Sequence, residues 1–487
     1  MSISSALSNA LSGLSASSRA ADIISSNIAN AMTDGYGTRR LDTASRVIGN
    51  AGAGVSVVGV TRYSDEALIG QRRVAEADLG ASRARADFMA QLEGLIGAPD
   101  AVGNLSARVA DFEGKLITAA NAPWNESHLS SAVLAAQSMA TGINDVSNGI
   151  QEQRLQADGQ IAITVDRING ALESLADLNT RIVAAQAGGG EAASLLDAQA
   201  QLVEQIVPFI PLQSRRDEAG ALYLYSDDGE ALLDVRPATL GFTPVAAIAA
   251  DMTLANGDLS GLTLNGRSLS MDGAYPALGG GELQAMFQLR DQWAPEAQAR
   301  LDAVARDLVE RFDAPGLDGT IATGSPGLFT DAGNLAIPAN EIGLAGRLRI
   351  NVAVDPDQGG AVWRLRDGIG ATAEGPTGNA TFLTAQVDAL AALRPTVSGG
   401  FSGAARSAAG LISENLSAAG LRRSAAESEL AQIAARHSAL ESAERAGGVD
   451  SDDELQRLLM VEQMFAANAR VITAAEEMMD ELMRIAR

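Results

Sequence analysis

Residues 3–31 read ISSALSNALSGLSASSRAADIISSNIANA, and small or apolar residues recur there at alternating spacings of four and three. The recurring positions are Ile3, Leu7, Ala10, Leu14, Ser17, Ala21, Ile24, Ile28 and Ala31. This spacing places them on one face of a helix and is the pattern of a coiled-coil seam. The stretch therefore predicts an N-terminal helix that needs a partner. The following Thr33-Asp34-Gly35-Tyr36-Gly37 predicts a glycine stop and a turn.

The other end of the chain, residues 450–487, carries a second seam of the same kind. Its positions are Leu458, Val461, Phe465, Asn468, Ile472, Ala475, Met479 and Leu482. A further stripe recurs every seven residues and consists of Met464, Val471, Met478 and Ile485. Acidic residues at 450–454 suit the positive end of a helix dipole. We expect the two terminal helices to pair as a coiled coil and the second stripe to be covered in an assembly.

The terminal seams are weak on their own. Five large aliphatic side chains in the first seam would contribute roughly 10 kcal/mol if fully buried. Ordering about thirty residues costs on the order of 1 kcal/mol each for the backbone. We therefore expect mobile termini in the free subunit. Asn468 is a polar seam residue that fixes register at some cost in stability, while Asn27 and Asn30 suit either turn and cap chemistry or hydrogen bonds between subunits.

Between the two ends the sequence predicts helices with one β insertion. Helical periodicity covers most of 67–207 and returns at 282–312 and 381–444, and residues 38–63 suit an extended hairpin. Alternation at 221–225 and Asn-Gly or Asp-Gly pairs at 256–257, 265–266 and 272–273 predict strands. The expected fold is mainly α with an inserted β domain. Its parts are a terminal helical assembly domain (1–37 plus 450–487), a helix-rich body (38–207 plus 281–449) and a small outer β domain (208–280).

Composition excludes several classes of function. A formal net charge of −24 over 487 residues argues against nucleic-acid binding, which requires clustered cations. Cysteine is absent, and the two histidines, His128 and His437, stand far apart, so the sequence predicts no enzyme, cofactor or metal site. No apolar run is long enough to cross a membrane, and the N-terminus lacks the pattern of a cleaved signal peptide.

The two ends resemble the bacterial flagellar axial proteins. Ser12-Gly13-Leu14, Asn27-Ile28-Ala29-Asn30 and Asp34-Gly35-Tyr36 are similar to the N-terminal signature of that family, although Ser26 and Met32 replace two of its usual asparagines. Residues 465–472, FAANARVI, followed by Glu476-Glu477-Met478, are similar to its C-terminal signature. Leu195-Leu196-Asp197 and Leu289-Arg290-Asp291 resemble interior segments of the members that join the hook to the filament. The long helical body favours this junction group over the hook and rod members.

The resemblance implies a secreted structural subunit of the extracellular flagellum. Such a subunit leaves through the flagellar type III export apparatus and forms a ring of copies of itself. Its expected partners are the hook protein, hook-associated protein 3 and a flagellar export chaperone. The residues expected to serve assembly come from the two seams and end motifs: Ile3, Leu7, Leu14, Ile24, Asn27, Ile28, Asn30, Gly35, Tyr36, Phe465, Asn468, Val471, Ile472, Met479 and Leu482. Alternatives are a hook or distal-rod protein, or a secreted adhesin or effector with helical ends.

Overall fold

The computed structural model describes residues 3–33, 36–48, 51–97, 103–188, 192–273 and 276–485. The first half of the chain forms helices around one β hairpin. Its elements are α1 (Ile3–Ala29), β1 (Thr38–Ile48), β2 (Ala51–Tyr63), α2 (Glu66–Ile96), α3 (Leu105–Asn121), α4 (Glu126–Ala187) and α5 (Ala193–Glu204). Three of these helices begin at a side chain that accepts hydrogen bonds from first-turn amides, namely Asp65, Asn104 and Asn125.

The β insertion consists of two antiparallel three-stranded sheets. The first contains β3 (Leu212–Arg216), β4 (Leu222–Ser226) and β5 (Ala231–Leu233), and the second contains β6 (Leu240–Gly241), β7 (Leu262–Leu264) and β8 (Arg267–Leu269). The predicted strands at 221–225 and the turn at 265–266 are therefore confirmed. Asn265 adopts a positive φ of 52° in that turn, a conformation that Asn tolerates better than most residues.

Helices dominate the remainder of the chain. They are α6 (Gly281–Gln288), a π-helical turn (Leu289–Trp293), α7 (Ala294–Phe312), α8 (Leu344–Arg347), α9 (Arg364–Asp367), α10 (Thr381–Ala391), α11 (Ala408–Ala446) and α12 (Ser451–Ile485). Two short antiparallel pairs lie between them: β9 (Phe329–Asp331) with β10 (Leu348–Ile350), and β11 (Arg394–Pro395) with β12 (Ala405–Arg406). The mainly α fold with a small β part is as the sequence predicted.

Two apolar cores hold the body together. The larger core joins α2, α3, the first half of α4, α7, α10 and α11, and contains three mutually packed rings, Phe112, Phe312 and Phe329. The second core lies between residues 161–175 of α4, α6 and the inner faces of the two small sheets. The β insertion thus shares its core with α4, whose 62 residues run through both clusters. In the part of the chain described here, no helix has the length and apolar character needed to cross a membrane.

Candidate assembly site: the terminal helices and their joint to the body

The terminal helices α1 and α12 pack against each other in antiparallel orientation. Near the middle of the pair, a Cβ on Gly13 would lie 2.7 Å from the side-chain nitrogen of Asn468. At the end nearest the body, residues 30–33 line the same cleft as residues 448–451. Two residues that face each other across the helix pair therefore have numbers that add up to about 481. The predicted pairing of the two ends is present, and Asn468 lies in it against a glycine.

The seam is buried unevenly. On α1, Ala10, Ser17, Ile24 and Asn27 are buried, while Leu7, Leu14 and Ile28 are partly exposed. On α12 the buried residues are Glu454, Val461 and Ala475, with Asn468 and Ile472 partly exposed. Small and polar residues thus make the closest contacts, which lets the two backbones approach each other.

Three residues expected in the seam of α12 lie outside it. Phe465, Met479 and Leu482 are about half exposed in the single chain, so they are not enclosed between the two helices, and their role in assembly stays a prediction. Ile3, the first described residue of α1, stands opposite residue 478. The last turns of α12 therefore extend beyond the described part of their partner helix. Val471, from the second stripe, is also exposed.

Asn27 connects α1 to the hairpin of β1 and β2. Its buried side-chain amide donates to the carbonyl oxygen of Arg39 at 2.9 Å and accepts from the Arg39 amide at 3.0 Å. The Tyr36 hydroxyl donates to the same Asn27 oxygen at 2.9 Å. Asn27 thus makes hydrogen bonds to both the amide and the carbonyl group of Arg39. These bonds hold the start of β1 against the end of α1.

Asn30 has a local role in the structure. Its amide donates to the carbonyl oxygen of Ser26 at 2.8 Å, which extends the last turn of α1. In the single chain, Asn27 and Asn30 each make hydrogen bonds to residues of the same chain. Gly35, which the sequence assigns to the following turn, lies outside the described residues.

The hairpin continues along the outer side of α1. Ser12 accepts a hydrogen bond from the amide of Val55 at 3.1 Å and donates to the Asn9 carbonyl oxygen at 2.8 Å. Gly54 adopts a positive φ of 93°, and a Cβ at this position would collide with the Ser12 hydroxyl. The terminal unit therefore has three layers, the hairpin, α1 and α12, although the sequence assigned the hairpin to the body.

Asp197 joins this terminal unit to the body. Its carboxylate, on α5, pairs with Arg39 of β1 and with Arg62 of β2, the latter at 3.0 Å. All three side chains are largely buried. Both strands of the hairpin are thus held by one carboxylate of the segment Leu195-Leu196-Asp197, whose contacts the sequence alone does not predict.

Arg72 forms a second joint, between three helices of the body. Its guanidinium contacts Glu76 of α2 at 2.6 Å, Glu204 of α5 at 2.8 Å and Glu444 of α11 at 2.6 Å. Burial alone would lower the pKa of Arg72, but the carboxylates of Glu204 and Glu444 raise it above the ordinary arginine value. Glu76 has a raised pKa because burial outweighs its attraction to Arg72. The joint lies directly before α12, so it positions the C-terminal helix.

A buried polar network fastens the β insertion to α4. Arg290, in the π-helical turn, donates to Asp158 of α4 at 2.6 Å and to Asp291 at 2.8 Å, and Asp158 also accepts from the amide of Val245. Arg154 of α4 donates to the carbonyl oxygen of Arg290 at 2.8 Å. Arg290 was visible in the sequence as part of Leu289-Arg290-Asp291, but Asp158 and Arg154 were not identified. No local signal links residues 132 positions apart.

Among the residues that the structure describes, no group of three or more His, Asp or Glu side chains is arranged to hold a metal ion. The arrangement around the termini consists of packed helices, ion pairs and an exposed apolar helix face. Its chemistry is that of binding between protein surfaces. These features are typical of a structural protein that binds other protein surfaces.

Comparisons with known proteins agree with that class. Three family models match: "Flagella basal body rod protein" at residues 7–36, "Flagellar hook-associated protein FlgK helical domain" at 89–329, and "Flagellar basal body rod FlgEFG protein C-terminal" at 444–485. The two end models, both named for rod proteins, match most of α1 and the end of α11 with α12. The interior model is named for the hook-associated protein and extends from the end of α2 through α7.

The chain is also similar to proteins that are named flagellar hook-associated protein 1. Flagellar hook-associated protein 1 of Bacillus subtilis is 23% identical over 98% of this chain and 97% of its own length. The Escherichia coli protein of that name is 23% identical over 67% of this chain and 59% of its own length. The Salmonella typhimurium protein of that name is 25% identical over 68% of this chain and 62% of its own length. The match thus spans about three fifths of the length of the Escherichia coli and Salmonella typhimurium proteins.

A solved structure, the flagellar hook junction protein FlgK from Burkholderia pseudomallei, matches with a TM-score of 0.43 and 21% identity over 54% of this chain and 46% of that one. From the family models and the curated relatives together, the chain belongs to the flagellar hook-associated protein 1 family. It is a structural protein of the bacterial flagellum. The alternative of a hook or distal-rod protein is set aside, because the interior matches the hook-associated model.

Proposed function

We propose that this chain is the subunit that joins the flagellar hook to the filament. In this proposal it is exported unfolded by the type III apparatus and assembles into a ring through its paired terminal helices. The hook protein lies below the ring and hook-associated protein 3 above it, and an export chaperone holds the C-terminal region beforehand. The β insertion faces outward.

The observation that carries the proposal is the exposed apolar surface of α12. In the single chain, α12 uses one narrow face to contact α1 and leaves large apolar side chains in solvent on the neighbouring face. They are Met460, Met464, Val471, Met478, Leu482 and Ile485, whereas Leu459 and Phe465 are exposed on other sides of the helix. An exposed apolar surface of this extent is typical of a protein–protein interface. Burying it against neighbouring copies supplies the stabilisation that the weak α1–α12 seam lacks.

The joints of Asp197 and Arg72 support the same function. A junction subunit transmits force from its core helices to its outer body, so the two parts need a defined relative position. Five ion pairs made by Asp197, Glu76, Glu204 and Glu444 hold the hairpin against α5 and join α2, α5 and the end of α11, which leads into α12. Such a cluster resists tilting better than one apolar contact, because each pair has a preferred direction.

Charge substitutions on α12 test the proposal. Val471→Glu places a carboxylate on the exposed apolar face, where assembly would bury it at a high cost in free energy. Thr473→Glu places the same charge two residues away on an exposed polar position. Both positions are exposed in the free chain, so both variants should fold. Circular dichroism of the purified variants checks this.

We expect cells carrying Val471→Glu to have hooks but to release flagellin into the medium unpolymerised. Cells carrying Thr473→Glu should grow filaments of ordinary length. Deletion of residues 450–487 should give the Val471→Glu phenotype in full. Normal filaments on the deletion strain would refute the junction role, and equal behaviour of the two point variants would refute the assignment of the apolar face.

A further inference from the structure

The exposed face of α12 is rich in methionine. Five of the 12 methionines of the chain lie on this helix, and their exposed fractions range from 44% to 65%. They are Met460, Met464, Met478, Met479 and Met483. By contrast, Met89, Met139, Met271 and Met286 belong to the body and are at most 7% exposed. Met32, just after α1, is also exposed, at 92%. The thioethers of α12 and the four buried thioethers of the body therefore differ sharply in access to solvent.

Three of these methionines, Met460, Met464 and Met478, lie on the proposed interface. Met464, Val471, Met478 and Ile485 follow each other at spacings of seven and form one stripe, and Met460 lies one turn before it. The stripe is adjacent to the buried line of Val461 and Ala475 that contacts α1. Thioethers thus make up a large share of the apolar surface that a neighbouring copy would cover.

We propose that α12 is a site of methionine oxidation by hydroperoxides, and that this oxidation prevents assembly of the free subunit. The inference rests on the proposed function of α12 as the assembly helix. In the reaction the sulfur lone pair attacks one peroxide oxygen, an S–O bond forms and the O–O bond breaks. The transferred hydroxyl group loses its proton to the leaving hydroxide, so the sulfur loses two electrons and hydrogen peroxide is reduced to one molecule of water.

The consequence follows from the polarity of the product. Methionine sulfoxide carries a strong S=O dipole in place of a flexible apolar group. On the free subunit this dipole is hydrated and has little effect on the fold, because α12 already exposes these side chains. In the assembly, the dipole would be buried without a hydrogen-bond donor, which is unfavourable. Oxidation therefore acts on association and leaves the folded body unchanged.

Peptide mass mapping of the purified full chain after treatment with dilute hydrogen peroxide tests the first step. We expect the five methionines of α12 to oxidise at least about tenfold faster than Met89, Met139, Met271 and Met286, since access of the oxidant to sulfur controls the rate. The buried residues serve as internal controls in the same sample. Equal rates in the two classes would overturn the proposal.

The second step is tested by adding purified protein to hooks from cells that lack it and measuring filament growth from added flagellin. Peroxide-treated protein should fail to support growth, and methionine sulfoxide reductases that act on both epimers should restore it. A variant with Leu at the five α12 positions has no sulfur there, so peroxide treatment should leave the growth that the untreated variant supports unchanged.

The outcomes separate the two proposals. If untreated protein does not support filament growth, the junction function itself fails. If untreated and peroxide-treated protein support growth equally, the junction function stands and oxidative control is refuted. Loss of growth by the treated Leu variant would place the damage outside α12 and would also refute the proposal.

Discussion

Replacing Arg72 by Met tests whether the ion-pair joint positions the C-terminal end of α11. The substitution keeps the length and much of the volume of the side chain but removes its charge. Glu76, Glu204 and Glu444, each about one quarter exposed, would then lose their shared cation, and Glu204 would keep its ion pair with Arg73. Like charges at this separation repel, and each carboxylate loses a charge-assisted hydrogen bond.

The expected loss is about 3 kcal/mol. Removing one partner of a fully buried pair costs about 3–5 kcal/mol, and partial solvent access to the three carboxylates places this joint at the lower end. Hydrogen exchange of the amides in residues 430–446 measures the effect locally. A loss of about 3 kcal/mol corresponds to roughly 100-fold faster exchange. Exchange in α4 should not change and provides an internal reference.

Arg436→Met is the matched control. Arg436 also links α11 to α2, through Asp78 at 3.8 Å, but its side chain is well exposed. Exposed pairs contribute about 0–1 kcal/mol, so exchange should change by less than about fivefold. Burial raises the pKa of Glu76 above the ordinary glutamate value, so the defect of Arg72→Met should also diminish as the pH falls and Glu76 binds a proton. If both variants exchange alike at pH 7, Arg72 does not hold the joint.

Three further predictions concern the body and the termini. Asp158→Leu leaves the fully buried Arg290 with one fewer partner and should lower the free energy of unfolding by about 3 kcal/mol. In the double variant Asp158→Leu with Arg290→Met, urea denaturation should show a loss of unfolding free energy smaller than the sum for the two single variants. Burial raises the pKa of Asp313 to about 6, so the folded state binds a proton that the unfolded state releases, and stability should rise as pH falls from 7 to 5. Solvent access limits that gain to on the order of 1 kcal/mol, and Asp313→Asn should abolish it in pH-dependent melting curves; an unchanged slope would contradict the assignment. Finally, residues 3–29 should exchange their amide hydrogens rapidly in the dilute free chain and slowly after assembly, because the α1–α12 seam alone is weak; strong protection in dilute solution would contradict this.

Local pattern was sufficient for much of the fold. The three-four spacing in residues 3–31 predicted α1, and the acidic residues at 450–454 preceded or opened α12 as expected. Alternation at 221–225 predicted β4. These predictions succeeded because helix and strand repeats are properties of neighbouring residues, which the sequence displays directly.

The spacing of α12 was a poorer guide to which face is buried. Phe465 and Met479 have the correct interval for the seam, yet they are exposed, whereas Ala475 is buried. An interval records only that residues share a face. The width of the contact and the point at which the partner ends depend on how the two helices cross.

The sequence by itself determined that both ends of this chain are amphipathic helices in need of partners, and that strands are inserted in a helical body. Its acidic, cysteine-free composition also shows that it suits neither nucleic-acid binding nor thiol chemistry. Only the tertiary structure decided the antiparallel register of Gly13 with Asn468, the attachment of the hairpin through Asn27, and the pairing of Asp197 with two arginines. The physical reason is that these contacts join residues as many as 455 positions apart. Their partners are selected by the packing of whole elements, which no local repeat encodes.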